Sequence, residues 1–83
     1  MTNSLQWKAL DMTTDGTLSI TVNGQHRRVT EGISIAELAA ELGLVPEKVA
    51  VERNLEIVPR SLHGATPVAE GDRFEVVQFV GGG

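Results

Sequence analysis

A single helix is written into the sequence together with both of its ends, and a chain with one amphipathic stripe to bury must cover it with a sheet. Ser34 stands where its hydroxyl can accept from the amide of Glu37, Glu37 can reach back, and Ile33 can staple onto Leu38. Ile35, Leu38, Ala39 and Leu42 recur at helical spacing on one face, Glu37 and Glu41 stay off it, and Gly43 offers the left-handed residue that stops the helix. At 83 residues the chain has room for one core. The helix must therefore lie on one face of whatever strands flank it.

Those strands are marked by alternation. Leu18, Ile20 and Val22 alternate with Ser19 and Thr21, and Asn23-Gly24 then supplies the positive backbone angles of a two-residue turn, so Gln25 to Thr30 reads as a return strand. After the helix, Val49 to Arg53 alternates again, Asn54 begins a turn, Glu56-Ile57-Val58 forms a short strand closed by Pro59, and Arg60 to Thr66 reads as a loop with room for one helical turn. Glu70-Gly71-Asp72 turns the chain into a last strand, Arg73 to Val80. The expected order is β, β, α, β, short β, β, a two-layer α+β roll. In the last strand Phe74 and Val76 share one face and Val77 and Phe79 the other. With Phe74 and Val76 under the helix, Val77 and Phe79 form an exposed apolar patch unless a loop or the N-terminal segment covers them.

Composition excludes several classes of function. Seven Lys plus Arg against eleven Asp plus Glu leave a net charge of −4, the wrong sign for nucleic acid or an anionic membrane surface. The absence of cysteine removes disulfides, thiolate metal sites and a side-chain persulfide. No apolar run approaches the ~18 residues of a membrane span and no secretory signal is visible, so the expected address is cytoplasmic. His26 and His63 have no ligand spacing around them and read as surface histidines without a metal. Glu52, Glu56 and Asp72 read as solvated acids, and no triad or phosphate loop is present, so no catalytic residue is expected.

Residues 1–16 show no sustained period and read as a mobile leader, with docking of Trp7 and Leu10 on a partner or on the domain's own flank as the alternative. At the other end, Gly81-Gly82-Gly83 extends at most ~3.3 to 3.6 Å per residue, roughly 10 Å in all, and offers reach without bulk. Lacking Cβ atoms, these residues fit a channel too narrow for other residue types, so an enzyme could bring Gly83 to its reacting centre while gripping the globular part. A frayed, inert terminus is the plain alternative.

The segments Val49-Ala50-Val51-Glu52, Ile57-Val58-Pro59-Arg60, Glu70-Gly71-Asp72 and Val76 to Gly83, with the helix Ser34 to Leu42, resemble the ThiS family of thiamin-biosynthesis sulfur carriers. The resemblance covers about Thr17 to Gly83. It implies a ubiquitin-like β-grasp roll over residues 17–80, with a mixed sheet of four to five strands covered by one helix and a flexible glycine tail at 81–83. It also implies that a ThiF-type adenylating enzyme, using ATP and magnesium, joins AMP to the carboxylate of Gly83. Sulfur from a cysteine desulfurase or another donor then makes a thiocarboxylate, and thiazole synthase takes the sulfur. On that reading the chain is a protein co-substrate that binds no cofactor, and Gly81 and Gly82 are its tail. The apolar parity of Val77 and Phe79 next to that tail makes them the expected docking residues for the adenylating enzyme, and a monomer is the default for the free protein. An α-carboxyl of pKa ~3.5 is an anion at neutral pH and resists attack until its oxygen becomes a good leaving group, which agrees with activation. The alternatives are a sulfur carrier of the molybdopterin-synthase small-subunit type, a ubiquitin-like modifier joined to target lysines, and an interaction domain with an inert tail.

Overall fold

A computed structural model describes residues 15–80. Strands β1 (Thr17–Val22) and β2 (Gln25–Thr30) form the first hairpin, helix α1 (Ile35–Glu41) follows, and β3 (Val49–Arg53), β4 (Glu56–Val58) and β5 (Arg73–Gln78) complete a five-stranded sheet in the order β2-β1-β5-β3-β4. β5 lies at the centre, parallel to β1 and antiparallel to β3, so the sheet is mixed. Short 3-10 turns occupy Pro46–Lys48 and Arg60–Leu62. The first was not foreseen; the second is the helical turn for which the loop after Pro59 had room.

Local chemistry accounts for each element. Asn23 (φ 51) and Gly24 (φ 82) turn the first hairpin as expected. The helix opens with the full capping box: the Glu37 amide donates to Ser34 Oγ at 3.0 Å and the Ser34 amide donates to Glu37 Oε1 at 2.8 Å. It closes at Leu42, with Gly43 at φ +77. At the start of β1, the Thr17 hydroxyl and amide both donate to Asp15, which holds its carboxyl below the ordinary aspartate range. Arg28 lies 3.4 Å from the same carboxylate.

The core lies between sheet and helix. Ile35, Leu38 and Ala39 of α1 face Ile20, Val22, Val29, Val49, Val51 and Phe74, with Ile33 and Val68 closing the edge. Phe74 is buried and Val76 half-buried beneath the helix, as the parity of the last strand requires.

Two residues read as solvated are in fact buried. His63 is 6% exposed, because the turn at Arg60–Leu62 folds the chain back beneath β4, where its Nε2 donates to the Val58 carbonyl at 2.9 Å. Asp72 is also 6% exposed; it accepts from the Ala69 amide at 2.9 Å and Asn54 Nδ2 at 3.1 Å, with Arg53 at 3.7 Å. Both carry structure: one ties a loop to β4, the other ties the β3–β4 turn to the entry of β5.

The β3–β4 turn breaks a local rule. Asn54 (φ 53) and Leu55 (φ 74) are both left-handed, and Leu55 is 78% exposed. A leucine in that region costs about 1–2 kcal/mol, against roughly 0.5–1 kcal/mol of extra chain entropy lost by a glycine. Leu55→Gly is therefore expected to stabilise the domain by about 0.5–1 kcal/mol in urea unfolding. A loss of stability instead would show that the leucine side chain contributes to packing.

Candidate functional site

The face of the sheet turned away from α1 changes character along β5. Near β1 it is polar: Ser19, Thr21, His26 and Arg28 share it, and Ser19 Oγ and His26 Nε2 are hydrogen-bonded. Toward the end of β5 it becomes apolar. Val77 is 58% exposed and Phe79 53%, Ala50 stands opposite Val77 on β3, and Ile57 on β4 is 76% exposed. Ala50, Ile57 and Val77 line a shallow groove of about 120 Å³ together with Glu52 and Glu75. Those two glutamates stand directly opposite each other on β3 and β5. Like charges in that position repel, so a partner cation placed between them would be favoured.

The strand leading to the tail is held in place from both sides. Asn23, beyond its part in the hairpin turn, accepts from the Val76 amide at 2.8 Å and donates to the Val76 carbonyl at 3.1 Å, so a side chain continues the ladder where β1 has ended. Gln78 Oε1 accepts from the Val45 amide at 2.7 Å, and the Phe79 amide donates to the Lys48 carbonyl at 2.7 Å. The strand proper ends at Gln78, two residues short of the expected Val80, because its partner β3 begins at Val49, opposite Gln78. Phe79 is thus the last residue seen anchored by a backbone hydrogen bond. Val80 is 89% exposed, and Gly81, Gly82 and Gly83 lie outside the described residues.

The sequence alone gave no sign of the clamping roles of Asn23 and Gln78. Asn23 already had a sufficient explanation as a turn residue, and the contact of Gln78 with Val45 joins residues distant in the chain. The other residues weighed for chemistry do not converge. Glu56 is exposed at the β3–β4 turn, His26 and His63 belong to different faces, and among the described residues no three His, Cys, Asp or Glu side chains gather as a metal site would require. Also among these residues, no helix is long and apolar enough to cross a membrane. What the arrangement offers is a rigid apolar platform, flanked by acids, at the base of a glycine segment.

Comparisons with known proteins agree with this architecture. The chain is 38% identical to the thiamine biosynthesis protein ThiS from Geobacter metallireducens, whose crystal structure superposes with a TM-score of 0.67 over 80% of this chain and all of that one. A designed protein based on ubiquitin superposes with a TM-score of 0.50 at 25% identity, which places the roll among ubiquitin-like β-grasp folds. A thiazole synthase from Paramagnetospirillum magneticum is 44% identical over 66 residues. That match takes in 80% of this chain but only 20% of the relative, so the chain spans about a fifth of the length of the thiazole synthases it resembles. The uncharacterized protein ycf40 of Porphyra purpurea is 32% identical and is covered over 93% of its length. The ThiS family model matches residues 20–83, taking in the hairpin, the helix, the central strand with its platform and the three glycines, and the chain therefore belongs to the ThiS family.

Proposed function

We propose that this chain carries sulfur for thiazole formation in thiamine biosynthesis, as a co-substrate of other enzymes and not as a catalyst. The observation that carries the reading is the apolar platform of Val77 and Phe79 immediately before glycines that the family model includes. The platform docks a ThiF-type adenylating enzyme, which supplies ATP and magnesium. The Gly83 carboxylate attacks the α-phosphorus of ATP, pyrophosphate leaves, and the carbonyl of the resulting acyl adenylate becomes open to attack because AMP is a good leaving group. A sulfide-level donor displaces AMP directly and leaves a thiocarboxylate. A persulfide supplied by a cysteine desulfurase displaces AMP to give an acyl disulfide, whose S–S bond a thiol reductant then cleaves to the thiocarboxylate. Thiazole synthase then takes that sulfur; the similarity to thiazole synthases of two bacteria supports this recipient over a pterin precursor. Gly81 and Gly82 let the terminus enter a narrow channel, since a residue with a Cβ would widen the arm there.

Intact-mass analysis tests the reading. After incubation with ATP, magnesium, the adenylating enzyme and a sulfur source, the chain is expected to gain the mass difference between sulfur and oxygen, mapped to Gly83. Gly83→Ala is expected to gain little or none. Mass gain elsewhere in the chain, or amide adducts on lysines of other proteins with no thiocarboxylate, would contradict sulfur carriage.

A further inference from the structure

The ThiS model begins at residue 20, so the N-terminal segment with Leu5, Trp7 and Leu10 is an addition to the family domain, and the fold offers a place for it. The two sheet edges differ. β4 is three residues long and stopped by Pro59, whereas β2 runs for six residues with neither proline nor glycine. A long regular edge invites pairing by other chains unless something covers it. Two grooves lie beside this edge, each lined by residues of β2 or its end and of α1 or its C-terminal end. One, of about 230 Å³, has an apolar floor of Val22, Leu42, Leu44 and Val76, with Arg27 at its rim. The other, beside the end of β2, is flanked by Glu37 and Glu41, and Glu41 directly precedes Leu42.

Chain geometry selects the occupant. The segment joins the domain at Asp15, fixed by Thr17 beside the end of β2, where the Glu31 amide donates to the Gly16 carbonyl at 2.9 Å. Trp7 stands eight residues earlier, a reach of about 26 Å when extended. From Thr30 back to Gln25 is only about 17 Å of strand. By the same measure, along the parallel pair β1 and β5, Val77 lies about 26 Å from Thr17, at the very limit of that reach, and Phe79 about 33 Å, beyond it, whereas the groove is reached with slack. Charge agrees with the selection, since Lys8 follows Trp7 and Glu41, which flanks the second groove, directly precedes Leu42 of the first.

We propose that Trp7 seats in the groove between β2 and the C-terminal end of α1, with Lys8 against Glu41, so that the segment preceding β1 covers the long sheet edge and leaves the tail platform open. The linkage makes the contact intramolecular, with an effective concentration of order mM, so a modest intrinsic affinity suffices.

Trp7 is the only tryptophan and reports its own position. In the full chain, acrylamide is expected to quench its fluorescence several-fold less than in the urea-unfolded chain, and NOEs are expected from the indole ring to the Leu44 and Val22 methyls. Lys8→Glu and Glu41→Lys, both changes of exposed or terminal charge, are each expected to raise quenching, and the double variant to restore protection. Three results would overturn the assignment: quenching equal to that of the unfolded chain, protection without NOEs to the groove, and protection lost on dilution, which would mean that a second copy supplies the tryptophan.

Discussion

Replacing Val77 and Phe79 together by aspartate is expected to lower kcat/KM for adenylation by about 10² to 10³-fold while lowering the urea midpoint of the domain only modestly. Both side chains are about half exposed in the free protein, so docking removes the remainder. Full burial of such a side chain is worth roughly 1.5–3 kcal/mol, half of that for each residue gives about 1.5–3 kcal/mol for the pair, and burying two carboxylates adds a further penalty. A total near 3–4 kcal/mol corresponds to the stated range, since about 1.4 kcal/mol is tenfold. The loss should appear in KM more than in kcat, because on the proposed reading the adenylating enzyme grips the platform, which takes no part in the chemistry at Gly83. The domain should stay folded with a modest loss of stability. Both side chains face away from α1 and outside the cluster around Phe74, although each gives up its half-buried surface and the new carboxylates join Glu52 and Glu75 on one face. Unchanged adenylation kinetics in a folded variant would remove the platform from the docking of the adenylating enzyme. Normal adenylation with poor thiazole formation would reassign it to thiazole synthase.

The parts of this fold legible in the sequence are those set by neighbours in the chain. Ser34 and Glu37 meet because they are three residues apart, Asn23-Gly24 turns because both tolerate positive φ, and the opposite parity of Phe74 and Val77 follows from the pleat alone. Long-range closure was not legible. Asp72 and Asn54 are 18 residues apart and nothing local marks them as partners; a carboxylate in a turn is usually solvated, and only the docking of the β3–β4 turn beside β5 buries this one. His63 was missed for the same reason, since its partner is the backbone carbonyl of Val58 and a carbonyl leaves no signature in a sequence. The exposure of the face of Val77 and Phe79 was legible because the last strand is apolar on both sides while the single α-helix among the described residues covers one. Its acidic flank was not, because it depends on the register that sets Glu52 opposite Glu75.

That register is fixed near Asp72, where a large loss of stability is expected. Asp72→Ala removes the acceptor of the Ala69 amide and of Asn54 Nδ2 and takes the counter-charge from Arg53, whose side chain is one-third exposed. Asn54 is then released from one side only, because its Oδ1 still accepts from the Arg73 amide at 2.9 Å and its own amide still donates to the Arg73 carbonyl at 2.8 Å. Leaving buried donors without a partner costs about 1–3 kcal/mol, and hydration of the exposed Ala69 amide and of Arg53 keeps the sum near 2–3 kcal/mol. For a domain of this size each kcal/mol lowers Tm by about 4–8 °C, so a fall of roughly 10–20 °C is expected by thermal denaturation. Total stability at this length is about 4–12 kcal/mol, so the variant stays folded at room temperature. Asp72→Asn should recover part of the loss, since an amide oxygen can accept from Ala69 or Asn54 but carries no charge for Arg53. The platform stands at the opposite end of β5, and the surviving bonds of Asn23 to Val76 and of Phe79 to Lys48 hold it there. Adenylation kinetics of Asp72→Ala at room temperature should therefore match the unaltered chain. A large kinetic defect in a folded Asp72→Ala chain would mean that this buried carboxylate controls the docking face and not only the stability of the roll.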